Sequence, residues 1–278
     1  MTGPLSRAPW ALLLSALIFA SCQRPESNVE KGNRQQILHK GNGQEVEDLD
    51  PHIVRGVSGG NILAALFEGL VAEDPRDLHP VPGVAERWDI SADGRVYTFH
   101  LRANAKWSNG ERVTAQDFAD SYRRILSPGM ASDYAYMLYP VANAEAFNKS
   151  KLSDFNQVGF RVLDEATLEI TLTNPTPYFL SLLTHWSWFP VPVRTIEKYG
   201  PAYARGSRWT RPGRFVGNGP FTLEEWRLNY HVRVKKSPTY WDAKTVALNG
   251  IVFHTIDSTT SKNAPSAPAS STSQNRSR

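Results

Sequence analysis

One stretch constrains the fold of this chain more than any other: residues 97–139, YTFHLRANAKWSNGERVTAQDFADSYRRILSPGMASDYAYMLY. Tyr97, Phe99 and Leu101 alternate with Thr98 and His100, the period-2 pattern of a strand with one buried face. Ser108-Asn109-Gly110 supplies a turn, because Asn and Gly enter positive φ at low cost. Thr114 and Asp117 have capping-box spacing, so each side chain can satisfy the other residue's amide at a helix start. Phe118, Ala119, Tyr122, Ile125 and Leu126 then recur at helical spacing and give one apolar stripe. Ser127-Pro128-Gly129 ends that helix, since Pro128 disfavours helical geometry at Ser127. The unit reads as strand, turn, capped helix and aromatic-rich loop.

The flanking sequence alternates the same two signals. Ile37-Leu38 opens a first strand that Gly41-Asn42-Gly43 breaks, and Asn61 is expected to cap a helix over 62–70. Pro75, Pro80 and Pro82 punctuate a surface segment, and Ser91-Ala92-Asp93-Gly94 turns into the strand at 97. A short helix is expected from Ala142 to Phe147. Phe160-Arg161-Val162 and Leu168 to Leu172 read as a hairpin around Asp164-Glu165. Pro175 and Pro177 open an apolar helix through Leu183, and Gly200 stops another after Ile196. Residues around 221–223, 231–235 and 251–253 read as further strands.

Both ends differ from this body. Arg7 precedes the apolar run Trp10–Ala20, which is too short for the ~20 residues of a membrane-spanning helix but has the length of a signal-peptide core. Ala20-Ser21 before the only cysteine, Cys22, resembles a bacterial lipoprotein cleavage box, which makes residues 1–21 a signal peptide and Cys22 a lipidated N-terminus. Polar, aperiodic residues 22–36 are expected to be a flexible tether. Residues 258–278 contain no aromatic or large aliphatic side chain, so burial cannot offset ordering entropy and disorder is expected. The 31 basic and 27 acidic residues leave a charge of +4. Arg7, Lys262, Arg276 and Arg278 all lie in these end segments, so the body is neutral, which argues against nucleic acid as a partner. One cysteine excludes an intramolecular disulfide.

Little in the body points to covalent chemistry. Gly56-Val57-Ser58-Gly59-Gly60 satisfies the G-x-S-x-G pattern of a serine-hydrolase elbow, but that elbow needs a buried parallel strand before it and acid and histidine partners after it. Asp50-Pro51-His52 reads instead as a turn. The seven histidines lack metal-ligand spacing, and Gly217-Asn218-Gly219-Pro220 lacks the Lys-Ser/Thr of a phosphate loop. No catalytic residue, metal or cofactor is expected. The aromatic clusters Tyr134, Tyr136, Tyr139 and Trp186, Trp188, Phe189 are the more informative residues: such clusters are more often core, yet Tyr134 and His185 lie in loops flanked by polar or small residues, where a cleft could use them.

The sequences FHLRANAKWSNGERVTAQDFADSYRRILSP and ASDYAYMLY closely resemble the oligopeptide-binding proteins of peptide ABC importers. So do LDPH (49–52), LFEGLV (66–71), PGVAERW (82–88), PTPYFLSLL (175–183), VGNGPF (216–221) and PTYWDAKTV (238–246), in the family's order. The resemblance implies an α/β, type II periplasmic-binding-protein-like fold, here incomplete. Residues 37–67 and 193–257 would form part of the first lobe, 68–192 the inserted small domain, and 258–278 a tail foreign to the family. It implies a monomeric, non-catalytic receptor in the periplasm or outside the cytoplasmic membrane, lipid-anchored, that captures oligopeptides for an ABC permease. By position in the motifs, the backbone of Val57 and the side chain of Tyr134 fall on peptide-contacting positions, and His185 faces a side-chain pocket. Arg55 stands where some relatives carry an acidic residue. The family's acidic anchor for the peptide amino group falls in the half this chain does not match, so a half-cleft without activity is one expectation. The alternatives are a receptor for murein peptides or haem, and, from another class, an envelope hydrolase using Ser58.

Overall fold

The computed structural model describes residues 26–256; the signal-peptide, Cys22 and tail readings lie outside them. The elements are α1 (Asn28–Gln35), β1 (Ile37–Gly41), α2 (Gly56–Leu66), β2 (Val71–Glu73), β3 (Pro80–Pro82), β4 (Ala85–Ile90), β5 (Val96–Leu101) and α3 (Ala115–Leu126). They are followed by α4 (Ala144–Asn148), β6 (Phe160–Asp164), β7 (Thr167–Thr171), α5 (Phe179–Leu182), α6 (Val193–Glu197), β8 (Phe221–Arg227), β9 (His231–Lys236) and β10 (Gly250–His254).

Two four-stranded sheets divide this chain. One has the order β1-β10-β9-β8, with β1 parallel to β10 and the other pairs antiparallel. The other, β4-β5-β7-β6, is wholly antiparallel. A β2–β3 ladder lies between them in sequence. The strand expected at 97–101 is β5, and its alternation of buried and half-buried residues follows the sequence pattern. Phe99, Leu101, Leu168 and Ile170 are buried from the two central strands and form one core with Phe118, Tyr122 and Ile125 of α3. Each large side chain buried in this way contributes roughly 1.5–3 kcal/mol. The expected capping box is present at α3: Thr114 Oγ1 accepts from the Asp117 amide and Asp117 accepts from the Thr114 amide.

Three expectations need correction. Residues 28–35, read as part of a flexible tether, form α1, started by a reciprocal Ser27–Glu30 capping box. The few apolar residues there give no stripe, but Gly32 lets the helix lie against β1, where a Cβ would come within 2.8 Å of the Ile37 carbonyl oxygen. The second helix is not 62–70 capped by Asn61 but 56–66, entered from Arg55 through Gly56 at φ +75°. The surface segment around Pro80 and Pro82 is β3, paired through Val71↔Pro82 and Glu73↔Pro80. Proline tolerates such an edge because its missing N–H is not needed there. The residues after it, 85–90, form β4.

A buried ionic cluster joins segments remote in sequence. Asp50 receives two hydrogen bonds from Arg124 (3.0 and 2.6 Å) and one from Trp209 Nε1 (3.1 Å). Arg124 also donates to the Ala202 carbonyl and to His52 Nδ1, and His52 Nε2 donates to the Phe189 carbonyl. Burial opposes charge on Asp50, yet the Arg124 guanidinium holds its carboxyl below the ordinary range. Burial and the same guanidinium push the His52 imidazole down to about 3, so it is neutral.

A second buried carboxyl behaves in the opposite way. Glu68 accepts from Tyr240 Oη and Trp241 Nε1, and the Arg102 guanidinium stacks 3.7 Å over the Trp241 ring. Burial outweighs those bonds and raises Glu68 to about 7 from an ordinary 4.5. A carboxyl raised in the folded state contributes stability that is complete below its unfolded pKa and is lost as pH rises through the folded one. Relative to the unaltered chain, Glu68→Gln should therefore gain in urea-denaturation midpoint between pH 5 and pH 8. A difference between the two that does not change with pH contradicts an uncharged, buried Glu68.

Candidate functional site

Three segments meet beside the N-terminus of α2. The first is the entry to α2, Arg55–Gly60. The second is the loop after α3, whose Tyr134 precedes a single 3-10 turn, Ala135–Leu138. The third is His185, which caps another 3-10 turn, Trp186–Trp188. The ring of Tyr134 lies 5.0 Å from that of His185 and 5.6 Å, edge-on, from Trp186. His185 and Trp186 stack at 3.9 Å. Tyr134 and His185, candidates 51 positions apart in sequence, are thus in one aromatic patch.

Val57 is linked to this patch only through its helix. Trp186 lies flat on Gly60, one turn beyond Val57, and a Cβ at Gly60 would come within 2.6 Å of the indole Cζ3. Val57 itself is 77% exposed. Arg55 precedes α2 without a side-chain cap, so the first amides of the helix, Val57 among them, are left without that partner. Two of the three glycines in this stretch serve packing: Gly60 seats Trp186, and a Cβ at Gly59 would come within 2.0 Å of Val54 Cγ1, whereas Gly56 meets no neighbour and is needed for its φ of +75°.

His185 has a defined protonation state. Its Nδ1 accepts from the Ser187 amide at 3.2 Å and lies 2.9 Å from Ser187 Oγ, which puts the proton of the neutral ring on Nε2. Burial pushes the imidazole down to about 4, so near neutral pH it presents one uncharged N–H donor. The rim is ionic. Arg55 pairs with Asp133 at 3.0 Å, and Arg205, 3.7 Å from the same carboxylate, also donates to the carbonyls of Met130 and Ala131. These contacts pin the loop that carries Tyr134. Asp133, Arg205 and the seat at Gly60 were not legible as site residues, although two adjacent glycines inside a helix were a signal of close packing.

The hydrolase arrangement is not assembled. Ser58 lies in the first turn of α2 and its carbonyl accepts from Asn42 Nδ2 at 2.8 Å. Among the described residues no hydrogen bond joins its hydroxyl to a histidine, and His52 is committed to Arg124. One set of potential metal ligands converges that spacing did not reveal: Asp74, Asp77 and His79, before β3. Asp74 is already engaged by Arg76, and His79 is hydrogen-bonded to Asp77 on an exposed surface.

The profile of the middle region of family 5 of the bacterial extracellular solute-binding proteins matches residues 79–266. The chain belongs to this family. It is 44% identical over 225 residues to the periplasmic oligopeptide-binding protein OppA of Escherichia coli (strain K12), a match covering 80% of this chain and 40% of that relative. It is 36% identical to the dipeptide-binding protein DppE of Bacillus subtilis (strain 168), covering 80% of this chain and 39% of the relative. Among solved structures, the Haemophilus influenzae OppA complex with the peptide RPPGFSPFR superposes with a TM-score of 0.75 at 37% identity, over 80% of this chain and 42% of that one. The fold is thus that of part of a type II periplasmic peptide-binding protein, and the family-5 chain spans about two fifths of its relatives' length.

The seat at Gly60 gives a test with a diagnostic sign. Helix propensity alone predicts that Gly→Ala stabilises a helix by roughly 0.5–1 kcal/mol. Overpacking against Trp186 should instead make Gly60→Ala less stable by about 1–3 kcal/mol. Trp186→Ala in the same chain should largely remove that penalty. A Gly60→Ala variant as stable as the unaltered chain would show that Trp186 does not rest there.

Proposed function

We propose that this chain is a non-catalytic receptor that captures peptides outside the cytoplasmic membrane, and that the patch formed by Val57, Tyr134 and His185 is a wall of its peptide cleft. The observation that carries this reading is the convergence of Tyr134 and His185 with Trp186 over the uncapped start of α2. An extended peptide needs backbone partners independent of its sequence and room for varied side chains. The Val57 amide offers the first, the aromatic faces provide apolar surface, and the tyrosine hydroxyl and the His185 Nε2–H offer polar points without charge.

In this reading the strands of the first sheet and α2 belong to one lobe, from 37–67 and 193–257, and residues 68–192 form the inserted small domain; the division of strands between the two sheets supports it. Delivery to an ABC permease, a monomeric state and anchoring through a lipid on Cys22 complete the proposal, supported by the family and by the apolar run before Cys22. At the rim two guanidinium groups, Arg55 and Arg205, share the Asp133 carboxylate, which leaves one net positive charge beside the patch and favours neutral or acidic peptide groups at this end.

Calorimetric titration of the purified chain with RPPGFSPFR, the peptide held by the Haemophilus relative, tests the reading. Saturable heat is expected, with affinity reduced at least tenfold, about 1.4 kcal/mol, by Tyr134→Ala. Heat unaffected by Tyr134→Ala would remove the patch from the binding site. No saturable heat at millimolar peptide would overturn the claim that this chain captures peptide by itself.

A further inference from the structure

On the face of the β1-β10-β9-β8 sheet turned away from the shared core there is a cavity of about 440 Å³, floored by Val252 and overhung by α1. Its lining alternates out of phase with the core: Val232, Val234 and Phe253 point inward to the core, whereas His231, Arg233 and His254 point into the cavity. Three basic side chains, Lys31 from α1, Arg227 from β8 and Arg233 from β9, face one carboxylate, Glu225. His39, His231 and His254 add imidazole groups.

The pairing within this group is one-sided. Glu225 turns its carboxylate to His231 Nε2 at 2.9 Å and stands 3.8 Å from Arg227. His39 Nδ1 and His254 Nε2 share one hydrogen bond at 2.9 Å, their rings stacked 5.2 Å apart. Arg233, opposite both Glu225 and Val252 in the sheet register, has an Nε shut off from solvent that donates to nothing. The two terminal nitrogens of the same guanidinium face the cavity, pair with no carboxylate or carbonyl among the described residues, and present a planar fork suited to two oxygens of one anion. A cation site at the two touching histidines would set a metal ion among three basic side chains, so the balance of charge favours an anion.

We propose that this cavity is a binding site for an oxyanion of the phosphate class, seated on Arg233 with Lys31 closing over it from α1. The His39–His254 pair adapts to the guest: when His254 Nε2–H donates to His39 Nδ1, the outer Nε2 of His39 carries a proton and becomes a further donor. The site is separate from the aromatic patch, because it lies on the opposite sheet face from α2, and it does not depend on peptide capture.

Thermal unfolding of the full chain in inorganic phosphate against sodium chloride of matched ionic strength provides the test. The midpoint should rise with phosphate concentration and saturate, as expected for a ligand of the folded state. Arg233→Gln should weaken the apparent affinity at least tenfold and Lys31→Gln severalfold. If Arg233→Gln fails to fold, the exposed Lys31→Gln variant decides. A second arm, flotation with phosphatidylglycerol vesicles, separates the sources: flotation that inorganic phosphate competes away assigns the site to a lipid headgroup, and a phosphate shift without flotation assigns it to a soluble phosphate. An equal shift in chloride, or a phosphate shift unchanged in Arg233→Gln or in Lys31→Gln, overturns the proposal.

Discussion

The ion pair between Asp50 and Arg124 is the contact on which the rest of the arrangement depends. Both groups are buried, with side-chain exposures of 3% and 0%, so each would be costly without the other. Their cost is offset by a full set of partners: Trp209 and Arg124 on the carboxylate, the Ala202 carbonyl and His52 on the guanidinium. His52 must be neutral to accept from Arg124, and its depressed pKa follows from that role. A second polar knot runs alongside. Ser121, one turn before Arg124, accepts from the Val191 amide, while Asp48 accepts from Thr210.

Each strand of the candidate site leaves from this cluster. The chain runs from His52 through Val54 to Arg55 and the start of α2. It runs from Arg124 through the end of α3 to Asp133 and Tyr134. The Phe189 carbonyl, held by His52, lies four residues beyond His185. The aromatic patch is thus positioned by three short tethers to one rigid ionic centre, and loops placed in this way can carry function without being buried themselves. Glu68 plays a comparable part elsewhere, fixing the 240–241 turn beside the β2 approach, but as a group whose charged form burial disfavours.

How far the sequence discloses this differs by element. β5, α3 and the β6–β7 hairpin are legible because one buried face imposes a period of 2 or 3.6 on neighbouring residues. The capping box at Thr114 is legible because it is local. Arg124 is not: in the periodic pattern it is one polar residue beside a stripe, and only its partner 74 positions away explains its burial. α1 was hidden because its stability comes from a cap and from close approach at Gly32, neither of which makes an apolar stripe. The helix start at Gly56 was misplaced because Gly59 and Gly60 weaken helical propensity while being required by Val54 and Trp186. In the site, Tyr134, His185 and Val57 came from resemblance of motifs. The convergence of Tyr134 and His185 on Trp186, and of Trp186 on Gly60, is a tertiary fact that no local spacing encodes.

A double-mutant cycle on Asp50 and Arg124, followed by urea denaturation at pH 7, addresses the central claim directly. Arg124→Met leaves a buried carboxylate alone and Asp50→Ala leaves a buried guanidinium alone, so each should cost about 3–5 kcal/mol. The double variant should cost less than the sum of the two by about 2 kcal/mol or more, at the upper end of coupling seen between contacting residues. Single costs below about 1 kcal/mol, or costs that simply add, would contradict an ionic centre that holds the three segments of the candidate site together.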